Sequence, residues 1–199
     1  MSQSDFNTDE VSRLIRNRRT IKPEQYDQSK TVERSIVVQM LENANWAPTH
    51  GMTEPWRFTV FAGEGLRQLA EYQAEQYKEL TPSEKFKEKK YEQLITRPLH
   101  ASYVIAIGMK RQESGKIPEV EEIEAVACAV ENMYITASAY GVGTYWTTGG
   151  ITYYEEVKPF FNLGNDDRLL GFLYVGYPNI EWPDSQRYPI DEKVSWVEQ

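Results

Sequence analysis

Apolar residues along this chain recur at two spacings, and each change of spacing marks the start of a new element. Val11, Leu14 and Ile15 fall on one helical face in a segment that opens at Thr8 with Asp9 and Glu10, and the pattern predicts an end near Arg18 or Arg19. A second helix is predicted over roughly 31–46, where Val32, Ile36, Val37, Met40, Leu41 and Ala44 align before Pro48. After the loop APTHGMTEPW, the aromatic and β-branched alternation of RFTVFAG reads as a strand. Helical spacing returns in GLRQLAEYQAEQYKEL with Leu66, Leu69, Ala70 and Tyr77, and Thr81-Pro82-Ser83-Glu84 predicts the next helix start through an N-cap, a first-turn proline and a capping-box carboxylate.

YVIAIGMK is a continuous apolar run, the pattern of a strand covered on both faces. The longest helix is predicted over roughly 119–140, with Val120, Ile123, Val126, Ala127, Val130, Met133, Tyr134 and Ala137 on its stripe and Gly141 as its left-handed cap. Ala125, Ala127, Cys128 and Ala129 widen its apolar surface beyond one stripe, which predicts packing on two sides. A short strand in GVGTYWTTGG enters a glycine turn, Thr152 with Glu155 opens a short helix ending by Gly164, and RLLGFLYVGYP is a last core strand before a tail rich in proline and polar residues. Helices and strands are mixed without alternating one for one, so the order predicts an α+β fold or a three-layer α/β sandwich, not a doubly wound sheet.

At 199 residues and 23.1 kDa, with 40% hydrophobic and 26% charged residues, the chain suits one globular domain spanning residues 1–199. A net charge of −8 and a pI near 5.0 argue against a general nucleic-acid binder, so any anion site is local. No run reaches the roughly 18 apolar residues of a membrane span. MSQSDFNTDE carries neither a basic nor an apolar leader region, and the single cysteine, Cys128, can form no internal disulfide, so a cytoplasmic protein is expected.

Much familiar chemistry is missing. There is no P-loop, Gly141-Val142-Gly143 precedes a strand instead of opening a helix, His50 and His100 stand apart, and no metal-ligand spacing appears. Cys128, inside the long apolar helix, is expected to be a core thiol. With no nucleophile elbow and no assigned catalytic side chain, any enzymatic reaction would be carried by a cofactor. The positive exception is RNRRTIK at positions 16–22, where Arg18, Arg19, Thr20 and Lys22 follow a helix end and can aim several donors at one anion, phosphate in particular. The same residues also suit a solvated basic edge at a helix C-terminus.

Four segments, LIRNRRTIKPEQY, NANWAPTHGMTEPWRFTVF, ACAVENMYITASAYGVGTYWTTGGIT and LLGFLYVGYP with its following arginine, resemble the nitroreductase family of FMN-dependent, NAD(P)H-using oxidoreductases, and they occur in the family's order. The resemblance implies a three-layer α/β/α fold with a mainly antiparallel sheet and a homodimer with the long helix at its interface. It implies that Arg18, Arg19 and Thr20, matching the family's R-R-S, serve the flavin phosphate, ribityl chain and ring, with Lys22 at the N1/O2 edge and Arg187 at the phosphate. Ser185 stands where some members carry another basic residue. Trp146, Thr147, Thr148 and Gly149 match the turn that faces flavin N5 and O4.

His50 matches a residue that reaches the flavin from the other subunit, and Glu54 replaces the usual glutamine of its loop. The implied activity is ping-pong hydride transfer from NAD(P)H through FMN to a nitroaromatic, quinone or similar small oxidant. Flavin fragmentation, dehalogenation, and a storage or sensor module that holds FMN without turnover remain open alternatives. Trp56 reads better as an anchor of the sheet than as a flavin contact.

Overall fold

The computed structural model describes residues 6–198; Met1–Asp5, half of the MSQSDFNTDE segment considered above, lie outside the described residues. In chain order the elements are α1 (Thr8–Asn17), α2 (Arg34–Ala44), β1 (Trp56–Ala62), α3 (Glu64–Leu80), α4 (Glu88–Thr96), β2 (Tyr103–Met109), α5 (Glu119–Ala139), β3 (Gly143–Thr147) and β4 (Arg168–Gly176), joined by loops and short 3-10 turns. The strands form one antiparallel sheet in the order β1-β2-β4-β3, so the fold is α+β.

Alternation along the central strands makes the layers. Ile105, Ile107 and Met109 of β2, with Leu173 and Val175 of β4, pack on α2 and α5. Val104 and Ala106, with Phe172 and Tyr174, face the opposite core beside α3 and α4. Register pairs Ile105 with Leu173 and Val104 with Tyr174, so each core receives side chains from both strands at one level. A bulge between Ile107 and Gly108 interrupts that register next to Gly171, whose φ of 116° only glycine adopts without strain.

Helix α5 is the centre of the first core. Glu119, Glu121 and Glu122 sit in its first turn, where negative charge complements the helix dipole. It ends as expected at Gly141, with φ 67°, where Val142 N–H returns to Ala137 O at 2.9 Å. Val126, Ala129, Val130, Met133 and Ala137 point inward and are buried, so truncating Met133 to alanine would cost about 2–5 kcal/mol. Ala127 and Cys128 lie on the outer side, and Cys128 is exposed, which corrects the core-thiol expectation. The small apolar residues broaden the helix surface without all being covered by this chain.

Three boundaries also differ. Thr81-Pro82-Ser83-Glu84 does not start a helix: Lys85 and Phe86 N–H close one turn onto Pro82 O, Thr81 Oγ1 turns to the Tyr154 hydroxyl at 2.7 Å, and α4 begins only at Glu88. Phe86 packs between Tyr77 and Tyr91, and this aromatic contact overrides the local helix signal. Val32 stays extended before α2 because its N–H donates to Ser102 Oγ at 3.0 Å. The helix expected after Thr152 is a 3-10 segment, Glu155–Phe161, interrupted by Pro159.

Candidate functional site

The basic segment after α1 runs beside β3. Thr20 bridges Thr144, Ile21 N–H donates to Thr144 O at 2.9 Å, and the Ile21 side chain is fully buried. Gly143 permits this approach, since a β-carbon there would lie 2.9 Å from Ile21 Cβ. A core isoleucine therefore anchors the segment, and the polar residues on either side of it are set at the edge of the sheet.

Arg18 lies over the Tyr134 ring, 5.2 Å from its centroid, and its Nε is 3.9 Å from Glu131 Oε1. Tyr134 in turn accepts the Trp146 N–H at 2.8 Å. Burial pushes the Tyr134 phenol above its ordinary range, while the Trp146 bond and the Arg18 charge act in the other direction; it remains a neutral group joining Arg18 to β3. Thr20 and Lys22 are exposed. Arg19 is placed differently: its guanidinium donates to the carbonyls of Pro183, Arg16 (2.7 Å) and Arg18 (3.0 Å), which fastens the C-terminal tail across the end of α1. Trp182 adds a bond from its indole N–H to Asn17 O at 2.7 Å.

That fastening brings Arg187 to Arg18. The two line one cleft of about 510 Å³ with Ile15, Arg16, Glu131 and Ser185. Arg187 is steadied by bonds to Ser185 Oγ (2.6 Å) and Gln186 O (2.8 Å). Three guanidinium groups and a hydroxyl against one carboxylate make a local positive site in an acidic protein. The donor set matches a phosphate monoester, for which arginine's fork is well shaped.

At the end of β3, the Trp146 indole packs against the first core and donates to Leu170 O at 2.9 Å. Thr147 Oγ1 accepts Gly149 N–H at 3.2 Å, holding the turn closed, and Thr148 is exposed. His50 lies elsewhere. It sits in a short 3-10 turn, exposed, with Nδ1 2.6 Å from Glu121 Oε2 near the start of α5. Arg18 is beside Glu131, ten residues further along that helix, a separation of about 15 Å at 1.5 Å per residue. Within one chain His50 therefore does not line the Arg18 cleft. Trp56 is buried, its indole bonded to Asn45 Oδ1 at 2.9 Å, as expected of an anchor.

Sequence reasoning did not single out Arg16 as lining the cleft, Tyr134 as the link, or Lys90, whose ammonium rests against Gly149. Tyr134 carries a signal, a hydroxyl in an otherwise apolar stripe. Lys90 carries none, being one lysine among several in its segment.

Comparison with known proteins adds to this geometry. In Escherichia coli K12, the protein named "Putative NAD(P)H nitroreductase YdjA" is 32% identical over 143 residues, covering 72% of this chain and 76% of its own. A nitroreductase-like family protein from Bacillus cereus superposes with a TM-score of 0.80 at 25% identity, over the whole of both chains. A Bacteroides fragilis nitroreductase whose structure contains FMN superposes with a TM-score of 0.73 at 20% identity, over 96% of this chain and 100% of its own, and shows the shared fold. The model of the nitroreductase family matches residues 15–177, from the end of α1 through β4, and the chain belongs to that family.

Proposed function

We propose that this chain is an FMN-dependent oxidoreductase that takes hydride from NAD(P)H and delivers it to a small organic oxidant, a nitroaromatic or quinone. The observation that carries the reading is the joining of Arg18 and Arg187, from opposite ends of the sequence, in one positively lined cleft between α1, α5 and the C-terminal tail. The names of curated relatives as NAD(P)H nitroreductases support it.

In this reading Arg18 and Arg187, with Arg16 and Ser185 beside them, hold the phosphate. The Thr20 hydroxyl serves the polar chain, and Lys22 places positive charge near the N1/O2 edge, where reduction leaves negative charge. The closed turn from Trp146 to Gly149 sets the height of the ring, and Tyr134 fixes Trp146 relative to Arg18. When bound, FMN supplies the two-electron chemistry, alternately accepting and donating hydride; proton supply comes from water.

The site is completed by a second copy. Val11 and Ile15 of α1, Trp46 after α2, and Ala127 and Cys128 of α5 are exposed, and Trp46 is 86% exposed. Val11, Leu14, Ile15, Trp46 and Ile135 line an uncovered groove of about 490 Å³. This largely apolar groove, with Asn43, Asn132 and Thr136 also lining it, fits a homodimer interface. On this reading His50 serves the flavin of the other copy, since the separation of about 15 Å along α5 keeps it from the cleft of its own chain.

Purified protein loaded with FMN should bleach on anaerobic addition of NADPH or NADH and regain colour with a quinone or nitroaromatic. Retained yellow colour without bleaching would overturn the oxidoreductase in favour of a storage or sensor module, and protein that takes up no FMN would overturn the cofactor itself.

A further inference from the structure

Lys90 occupies an unusual place for a lysine. Lys85, Lys87 and Lys89 around it are exposed, whereas Lys90 is partly buried on the face of α4 that meets the turn after β3. Its Nζ lies 2.6 Å from where a β-carbon on Gly149 would stand, so the ammonium occupies the space left by a missing side chain. One helical turn later, Leu94 packs on Gly150 in the same way, 2.8 Å from its would-be β-carbon. Residues i and i+4 thus press α4 onto Gly149-Gly150, the leucine as anchor and the lysine as its charged neighbour. Among the described residues, the Lys90 ammonium makes no ion pair and no hydrogen bond. A partly buried ammonium without a protein partner, set against the turn assigned to the reacting edge of the flavin, is suited to receive an anionic or strongly accepting oxygen.

We propose that Lys90 is a specificity-determining residue of the acceptor pocket, selecting aromatic molecules that carry a carboxylate, nitro or comparable oxygen group. This rests on the reading that Trp146–Gly149 borders the hydride-transferring edge of FMN. The flavin phosphate is served by Arg18 and Arg187 in their own cleft, so Lys90 is free for a second ligand. Burial, followed by the repulsion of the cationic Arg97, lowers the pKa of Lys90, and the side chain that shares the Gly149 space with it, Thr147, is a neutral hydroxyl. The cationic form that binds an anion is accordingly lost at a pH below the ordinary lysine range.

Benzoate and its neutral isostere benzamide test this in the FMN-loaded protein, with binding read from the perturbed flavin absorption. Wild type should prefer benzoate by about tenfold, as expected of a charge-assisted bond, and lose that preference as pH rises into the ordinary lysine range. Lys90→Gln should retain FMN, yet bind the two ligands equally at every pH. A Lys90→Gln protein that keeps the benzoate preference would overturn the inference while leaving the oxidoreductase intact. Wild-type protein that takes up no FMN would overturn both.

Discussion

Replacing Arg18 by alanine separates folding from binding in a way that can be worked out beforehand. In the free protein Arg18 makes one cation–π contact, at 5.2 Å, and one long ion pair, at 3.9 Å, with a side chain that is 20% exposed. The first contributes about 0.5–1 kcal/mol and the second about 0–1 kcal/mol, so stability should fall by no more than about 2 kcal/mol. For a domain of this size that is a decrease in Tm of at most about 8 °C. Loss of a charge-assisted contact to phosphate costs about 1.5–3 kcal/mol, or roughly 10- to 150-fold in FMN affinity. Glu131, freed of its partner, would face the phosphate as well, which pushes the effect toward the larger figure. Glu131→Gln therefore has the opposite sign and should tighten FMN binding. Quenching of FMN fluorescence on titration with apoprotein measures both variants, and the gap between them should narrow with added salt. If Arg18→Ala binds FMN within threefold of wild type, the cleft is not the phosphate site.

Gly171→Ala should lower Tm by about 6 °C or more, because φ 116° is closed to alanine and its β-carbon would lie 2.4 Å from Thr147 O; circular dichroism melting checks this, and a shift under 2 °C would contradict the bulge geometry. Burial raises the Glu24 carboxyl pKa, but its own backbone N–H and Arg97 outweigh that and leave it below the usual range. Its stabilising contribution is present above the unfolded pKa and is lost as pH falls through the folded one, so Glu24→Gln should flatten the acid side of the Tm–pH profile below about pH 5. An acid limb identical to wild type would refute that pairing. Val11→Glu, placed on the uncovered face of α1 away from the phosphate cleft, should give a monomer by sedimentation together with weaker FMN retention; a dimer of undiminished affinity would remove this face from the interface.

Much of the fold was legible because its signals are local. The apolar run of β2 and the stripe of α5 are properties of consecutive residues, and the Gly141 cap needs only the turn before it. The false helix start at Thr81 shows the limit, since a sound capping pattern lost to a hydroxyl partner on Tyr154 and to the packing of Phe86. Among the site residues, the RNRRTIK cluster stood out by charge density, but not the division of labour inside it. Arg18 faces the cleft whereas Arg19, its neighbour, holds the tail through Pro183. Successive residues of an extended segment point to opposite sides, and which side is cleft depends on what packs there.

By itself, the sequence determined most of the helices and strands, that the chain is acidic and of the α+β class, and that positive charge is concentrated in one short segment. Only the tertiary structure decided that Arg16 lines the cleft of Arg18 and Arg187, that Tyr134 connects Arg18 to β3, that Cys128 faces outward, and that Lys90 fills the space above Gly149. Periodicity and capping are interactions between near neighbours and are written in residue order. Meetings between distant residues depend on strand register, a bulge and the path of a tail, which are settled only when the whole chain packs at once.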